Sequence, residues 1–285
     1  MKTPLWTGLA LVAFAANSVL CRLALGRAAI DAASFSTIRL AAGACMLLFI
    51  TAAVSKKSPP WHRGNAVSAL LLFLYAAAFS FAYNGLGAGV GALILFGSVQ
   101  ATMIFFALRS GERPHVLEWS GLALALAGLA YLVFPGLSAP PLLSSTFMAV
   151  AGVSWGLYSL RGRGATRPLD ETTKNFVLAL PLACVINLLM MRDAHVSRPG
   201  IILAIVSGAL ASGVGYVVWY AALRGLTATR AATVQLAVPV LAAAGGVIFL
   251  SERISLRLLL AACVILGGVG LALLGRAQLA QSKTT

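Results

Sequence analysis

Charge is what this sequence has least of. Only 10% of its 285 residues are Asp, Glu, Lys or Arg, against about a quarter in soluble domains. Acid is scarcest, at seven residues against 21 Lys and Arg. With 60% hydrophobic residues and a mean hydropathy of +0.94, a soluble fold would expose large apolar patches, which soluble monomers avoid. A polytopic membrane protein is the class that remains. The seven carboxylates (Asp31, Glu112, Glu118, Asp170, Glu171, Asp193 and Glu252) all fall in loops or at helix ends. An intramembrane carboxylate is the usual proton relay and the usual counter-ion for a cationic substrate. Its lack at the centre of every span argues against a proton antiporter built on a membrane glutamate and favours transport driven by the substrate gradient.

Other absences narrow the chemistry. The four cysteines sit in apolar runs without CxxC or metal-ligand spacing, and read as small buried hydrophobes. The three histidines (His62, His115, His195) lie in loops. Gly152-Val153-Ser154-Trp155-Gly156 matches G-x-S-x-G, but that motif needs a strand, a strained elbow and a histidine partner. Here it lies in an apolar helical run. No P-loop or HExxH is present, so no cofactor, no metal and no catalysis is expected. The net charge of +14 is scattered one to four residues at a time, without the basic face that nucleic acid needs. Leu20 before Cys21 is a poor cleavage site, so the first apolar run reads as an uncleaved helix.

What is present is a series of apolar runs. A helix needs roughly 20 residues to cross the hydrocarbon core. Ten runs fit: Leu5–Leu25, Ser34–Val54, Ala66–Asn84, Leu86–Leu108, Val116–Phe134, Leu142–Leu160, Asn175–Met191, Ile201–Leu223, Thr229–Leu250 and Leu256–Leu274. The fold class is an all-α membrane protein of ten transmembrane helices. With the N-terminus inside, fourteen Lys and Arg fall on the cytoplasmic side and five outside. Positive-inside bias therefore places both termini in the cytoplasm of a bacterial inner membrane. Arg22 and Arg39 fall near the outer ends of their helices, where they are expected to snorkel.

The chain also repeats. Ser110-Gly111-Glu112-Arg113 closes the fourth span and Leu250-Ser251-Glu252-Arg253 the ninth, 140 residues apart. At that offset Gly128 falls on Gly268, and Phe14 lands one residue from Trp155. Five spans per half is an odd number, so the second copy enters from the opposite side. Residues 1–139 and 140–285 are expected to be two inverted five-helix repeats.

These features resemble the drug/metabolite transporter superfamily and its EamA-type members. The resemblance rests on ten duplicated spans, small-residue-rich fourth and ninth spans ending near Glu-Arg, Trp155-Gly156 in the sixth, and Pro239 in the ninth. Val99 departs from it, standing where a proline is expected in the fourth. Overall the chain is similar to the YddG-type aromatic amino-acid exporters. The resemblance implies export of aromatic and other neutral amino acids. A monomer with no partner but substrate and lipid is expected. A carrier for other metabolites or drugs is the alternative, and an intramembrane enzyme the rival from a different class.

The candidate site is read from polar and aromatic residues inside spans. Tyr75, Phe79 and Tyr83 recur every four residues on one face, as do Ser212, Tyr216 and Tyr220, with Trp219 adjacent. Trp155 and Tyr158 share a face, Asn17 lies one turn from Phe14, and Gln100 and Gln235 sit within spans four and nine. An amide in lipid is costly unless it finds a partner or water. Such a lining suits a zwitterion with an apolar or aromatic side chain and demands no substrate of one sign. Belt tyrosines and helix-bridging amides are the alternative uses of the same residues. Gly85, Gly87 and Gly89, with Pro239, are the candidate hinges, although tight packing uses the same glycines.

Overall fold

The computed structural model describes residues 2–54, 65–109, 116–134, 139–162, 167–223, 234–235 and 237–282. The Ser110–Arg113 junction and the Thr229 start of the expected ninth span lie outside them. The helices are α1 Lys2–Leu25, α2 Ala32–Val54, α3 Ala66–Ala82, α4 Ala88–Arg109, α5 Val116–Val133, α6 Leu142–Gly162 and α7 Pro168–Leu189. The rod α8 then runs through Arg198–Val206, a π-helical stretch Ser207–Val214 and Gly215–Leu223. Ala237–Leu250 and Leu256–Ser282 follow as α9 and α10. No strand forms among the described residues beyond one bridge between Ile30 and Val196.

Local chemistry sets the helix ends. Asp31 starts α2 by accepting the Ser34 N–H at 2.8 Å. Asn65 and Ser197 cap α3 and α8 in the same way, through Ser68 and Gly200. The seventh helix begins seven residues before its expected start because Pro168 opens it and Asp170 and Glu171 occupy its first turn. Those residues belong to the helix but not to an apolar run. Pro181 is carried inside α7.

The burial pattern is that of a membrane protein. Apolar side chains face outward, such as Phe49 at 71% and Leu189 at 77% exposure, while Phe35, Phe79 and Tyr83 are buried. Among the described residues, four helices are long and apolar enough to cross a membrane by length and composition, and five shorter apolar helices accompany them. Helices alternate in direction. The ends of α1, α3, α5, α7 and α9 gather with the starts of their successors at one end of the bundle, as shown by Arg22–Glu252, Arg257–Phe134 and Ile30–Val196. Arg161–Ser68 and Thr51–Thr173 join elements at the other.

Packing joins early helices to late ones. α5 lies on α10, α2 on α7 and α8, α3 on α6 and α7, α4 on α6 and α9, and α1 against α8 and α9. Glycine permits the closest approaches: a Cβ on Gly208 would run into the Arg39 carbonyl. Gly152 and Gly156, the glycines of the G-x-S-x-G string, seat α6 on Leu95 and Thr102 of α4. The string is a helix-packing feature.

Candidate substrate cavity and its closure

Five helices converge on a void near their mid-length. α1 supplies Phe14, Asn17 and Ser18; α3 supplies Tyr75 and Phe79. α4 adds Leu95 and Phe96, α6 Trp155, and α8 Ala211, Ser212 and Tyr216. The four-residue spacing on α3 places Tyr75 and Phe79 one above the other, as helix geometry requires. On α8 the π-helical stretch supplies Ala211 and Ser212, and π-bulges recur at functional sites. The void holds only about 20 Å³, room for roughly one water. Pockets for small ligands run to about 300 Å³ and more, so the void as it stands is too small for an amino acid.

The rings form one network. Trp155 is its hub, 4.9 Å from Tyr75, 5.1 Å from Tyr216 and 5.6 Å from Tyr158 between ring centres. Phe14 meets Tyr216 at 6.2 Å. Tyr75 and Trp155 become Tyr216 and Phe14 when 141 is added to the first number and subtracted from the second. A Tyr–Trp contact and a Tyr–Phe contact thus stand at the same 141-residue spacing. Asn17 accepts the Ser207 hydroxyl at 2.6 Å, fixing its amide against α8.

Arg39 is the residue that sequence reasoning misplaced. It does not snorkel. It lies seven residues into α2, roughly 10 Å along the helix, and is 2% exposed. Its Nε donates to Ser212 Oγ and its Nη2 to the Tyr75 hydroxyl, each at 3.3 Å. The guanidinium carbon sits 4.9 Å from the Phe79 ring centre and 5.4 Å from that of Tyr75. Nη1 is buried and makes no hydrogen bond. No carboxylate pairs with Arg39 among the described residues. No Asp or Glu lines the chamber among the described residues, but a positive charge stands directly behind its wall.

At one end of the bundle an ion pair joins three elements. Beyond Cys21, Arg22 Nε meets Glu252 Oε1 at 3.2 Å, and Arg22 Nη1 also reaches the Tyr83 carbonyl at 3.1 Å. The other Glu252 oxygen accepts the Ala88 N–H at 2.8 Å, at the start of α4. Ser251, held in the left-handed region at φ 54°, turns the chain there, and the Glu252 N–H bonds to the Gly246 carbonyl. One carboxylate thus ties α1, α4 and the α9–α10 turn. Toward the opposite end the Asn175 amide donates to the Tyr158 hydroxyl at 3.2 Å and Thr172 to the Tyr220 hydroxyl at 3.4 Å.

Of the predicted binding residues, Asn17, Tyr75, Phe79, Trp155 and Tyr216 come together on the void. Tyr158 and Tyr220 lie beyond it toward Asn175 and Thr172. Tyr83 caps α3, fully buried, with its ring against Phe79 at 4.8 Å. Trp219 packs in a separate cluster with Ala10 and Ala222. Gln100 is buried in α4 and Gln235 half-buried, neither on the void. Gly85, Gly87 and Gly89 pass against Ser144, Glu252 and Ala243 respectively. Pro239 is buried in the first turn of α9. Beside Arg39, Ser18 and Phe96 were missed. Ser207 and the Glu252 ion pair were missed as well, since their partners lie 190 and 230 residues away.

Comparison with known proteins follows this geometry. The EamA-like transporter family profile matches residues 1–134 and 142–274. An uncharacterized protein of Pseudomonas aeruginosa is 48% identical over 97% of both chains. A probable amino-acid metabolite efflux pump of Escherichia coli is 28% identical over 65% of this chain and 67% of its own. A crystal structure at 19% identity shares the fold, with TM-score 0.65 over 95% of this chain and 97% of that one. The chain belongs to the EamA-like transporter family and is a multi-pass membrane protein.

Proposed function

We propose that this EamA-like transporter exports neutral amino acids, aromatic ones among them, across the bacterial inner membrane by alternating access. It acts as a monomer with both termini in the cytoplasm. The carrying observation is the void at mid-length of α1, α3, α4, α6 and α8, lined by ring faces, an amide and hydroxyls. Ring faces suit an aromatic or apolar side chain. The efflux role given in the name of the Escherichia coli relative supports the direction and the substrate class.

The mechanism needs two exchangeable ends, and two features support inverted halves at residues 1–139 and 140–285. Replacing each helix by the one five later turns α3·α6 into α1·α8, α4·α6 into α1·α9 and α3·α7 into α2·α8, all of them packed pairs. Gly128 meets Val264 and Ile265, while Gly268 meets Leu124 and Ala125. Those two contacts exchange under the 140-residue offset. Five alternating helices per half orient the copies oppositely. In this reading Arg22–Glu252 closes the periplasmic end. The glycines at 85, 87 and 89, with Pro239, let α4 and α9 move when it opens. Efflux from vesicles loaded with each of the twenty amino acids tests the function. Flux of aromatic amino acids above protein-free vesicles is expected; a null result for all twenty would remove the substrate class.

A further inference from the structure

Arg39 lets the substrate class be defined more narrowly. Its five N–H donors are met by only two hydroxyl oxygens, Ser212 Oγ and the Tyr75 hydroxyl, and Nη1 has no acceptor. Buried polar groups are nearly always paired, and a buried charge without a counter-ion is costly. Ser212 and Tyr75 both line the void. Because Arg39 occupies a lone pair of each, their own O–H groups remain as donors to whatever sits there. That wall is positive and donor-rich. No Asp or Glu lines the void among its described residues, so nothing of opposite charge waits for an ammonium.

We infer that Arg39, with the Ser212 and Tyr75 hydroxyls it polarises, holds the substrate's carboxylate, and that the α-ammonium is dispensable. The proposal deepens the amino-acid reading and uses the same chamber. A zwitterion fits, and so does an N-acylated amino acid or another carboxylate with an apolar tail; an amino-acid amide or an amine does not. The charge has a consequence for drive. Arg39 stays with the protein, so carrying a monoanion moves one net negative charge, which an interior-negative potential pushes outward. A carrier of such anions needs no proton-relay carboxylate, and the spans contain none at their centres.

The test uses the full chain in vesicles and in detergent, with N-acetyl-L-phenylalanine, L-phenylalanine and L-phenylalaninamide as probes. The N-acetyl compound is expected to inhibit phenylalanine flux within about threefold of phenylalanine itself, and the amide about tenfold or more weakly, the worth of a charge-assisted contact. Efflux of the N-acetyl compound above the leak of protein-free vesicles should quicken at interior-negative potential, while phenylalanine efflux should not. Arg39→Gln should erase the preference and Arg39→Lys keep part of it, with ligand-induced thermal shifts showing that each variant is folded. Equal inhibition by amide and N-acetyl compound overturns the proposal and leaves amino-acid export standing. N-acetyl flux without flux of any amino acid removes amino-acid export and supports the carboxylate site. If neither moves, thermal shifts decide: stabilisation by the N-acetyl compound over the amide supports the site, and no difference overturns it.

Discussion

Replacing Glu252 by Gln tests the lock directly. The pair is 3.2 Å apart, with about a quarter of each side chain exposed. At an effective dielectric near 20 the gross attraction is about 5 kcal/mol. Desolvation and screening remove more than half of it. Gln keeps an oxygen for the Ala88 N–H, now without the charge that shortens and strengthens the bond. A net loss of about 2 kcal/mol follows, in line with charge-assisted hydrogen bonds. The lock exists only when that end is closed, so its loss raises the open population by about thirtyfold. Cys21 is a native reporter, because it is fully buried one residue from Arg22 and beside Ser80. With Cys45, Cys184 and Cys263 changed to Ser, a membrane-impermeant maleimide should label Cys21 about thirtyfold faster in Glu252→Gln, as labelling follows the opened fraction. Arg161→Gln, at the far end, should leave the rate unchanged. A Glu252→Gln rate within twofold of the parent, in folded protein, would refute the assignment of Glu252 as the lock.

Four further outcomes follow from the same geometry. Trp155→Ala removes the hub of three ring contacts; the KM for an aromatic amino acid should rise about tenfold, since each ring pair contributes about 0.5–1.5 kcal/mol. Gly208→Ala drives a Cβ into the Arg39 carbonyl and should lower thermal stability by about 3 kcal/mol, whereas Gly267→Ala, with open space around it, should hold or raise Tm. Gly87→Val puts bulk 3.0 Å from Glu252; it should speed Cys21 labelling and slow flux more than it weakens binding, and equal loss of both would assign Gly87 to packing. An imposed proton gradient without a substrate gradient should drive no flux in vesicles, and strong acceleration would reveal a coupling group.

The helices were legible because burial in lipid needs only long apolar runs, a property of single segments. The ring faces were legible for a similar reason: Tyr75 and Phe79 stand four residues apart on one helix, and helical periodicity aligns them. The rotation of α2 was not legible. That helix is apolar on every side, so nothing in its own sequence says which face turns inward. Near its end, Arg39 is equally compatible with reaching water or the interior. Packing decided it, through the Gly208 contact that brings α8 against the Arg39 backbone. Glu252 posed the opposite problem. The Glu-Arg junction was visible as half of an expected repeat, but its partner Arg22 is on α1, and one sequence carries no signal joining them.

Arg39 also separates scaffold from function. A guanidinium at this depth costs about 2.5–3.5 kcal/mol on insertion scales. Two hydroxyls and two ring faces offset part of that, at about 0.5–2 kcal/mol for each cation–ring contact. Were the residue only a strut between α2, α3 and α8, its donors would be satisfied, as buried polar groups generally are; Nη1 is not. Nor does the proposed repeat call for a charge there. The positions 140 and 141 residues on are Ala179, which is buried, and Leu180, on the helix α7 that packs on α2 and α3. The two proposed repeats differ at this place in one formal charge. The unpaired donor is therefore a cost that helix packing does not require, and an anion arriving in the chamber is what would offset it.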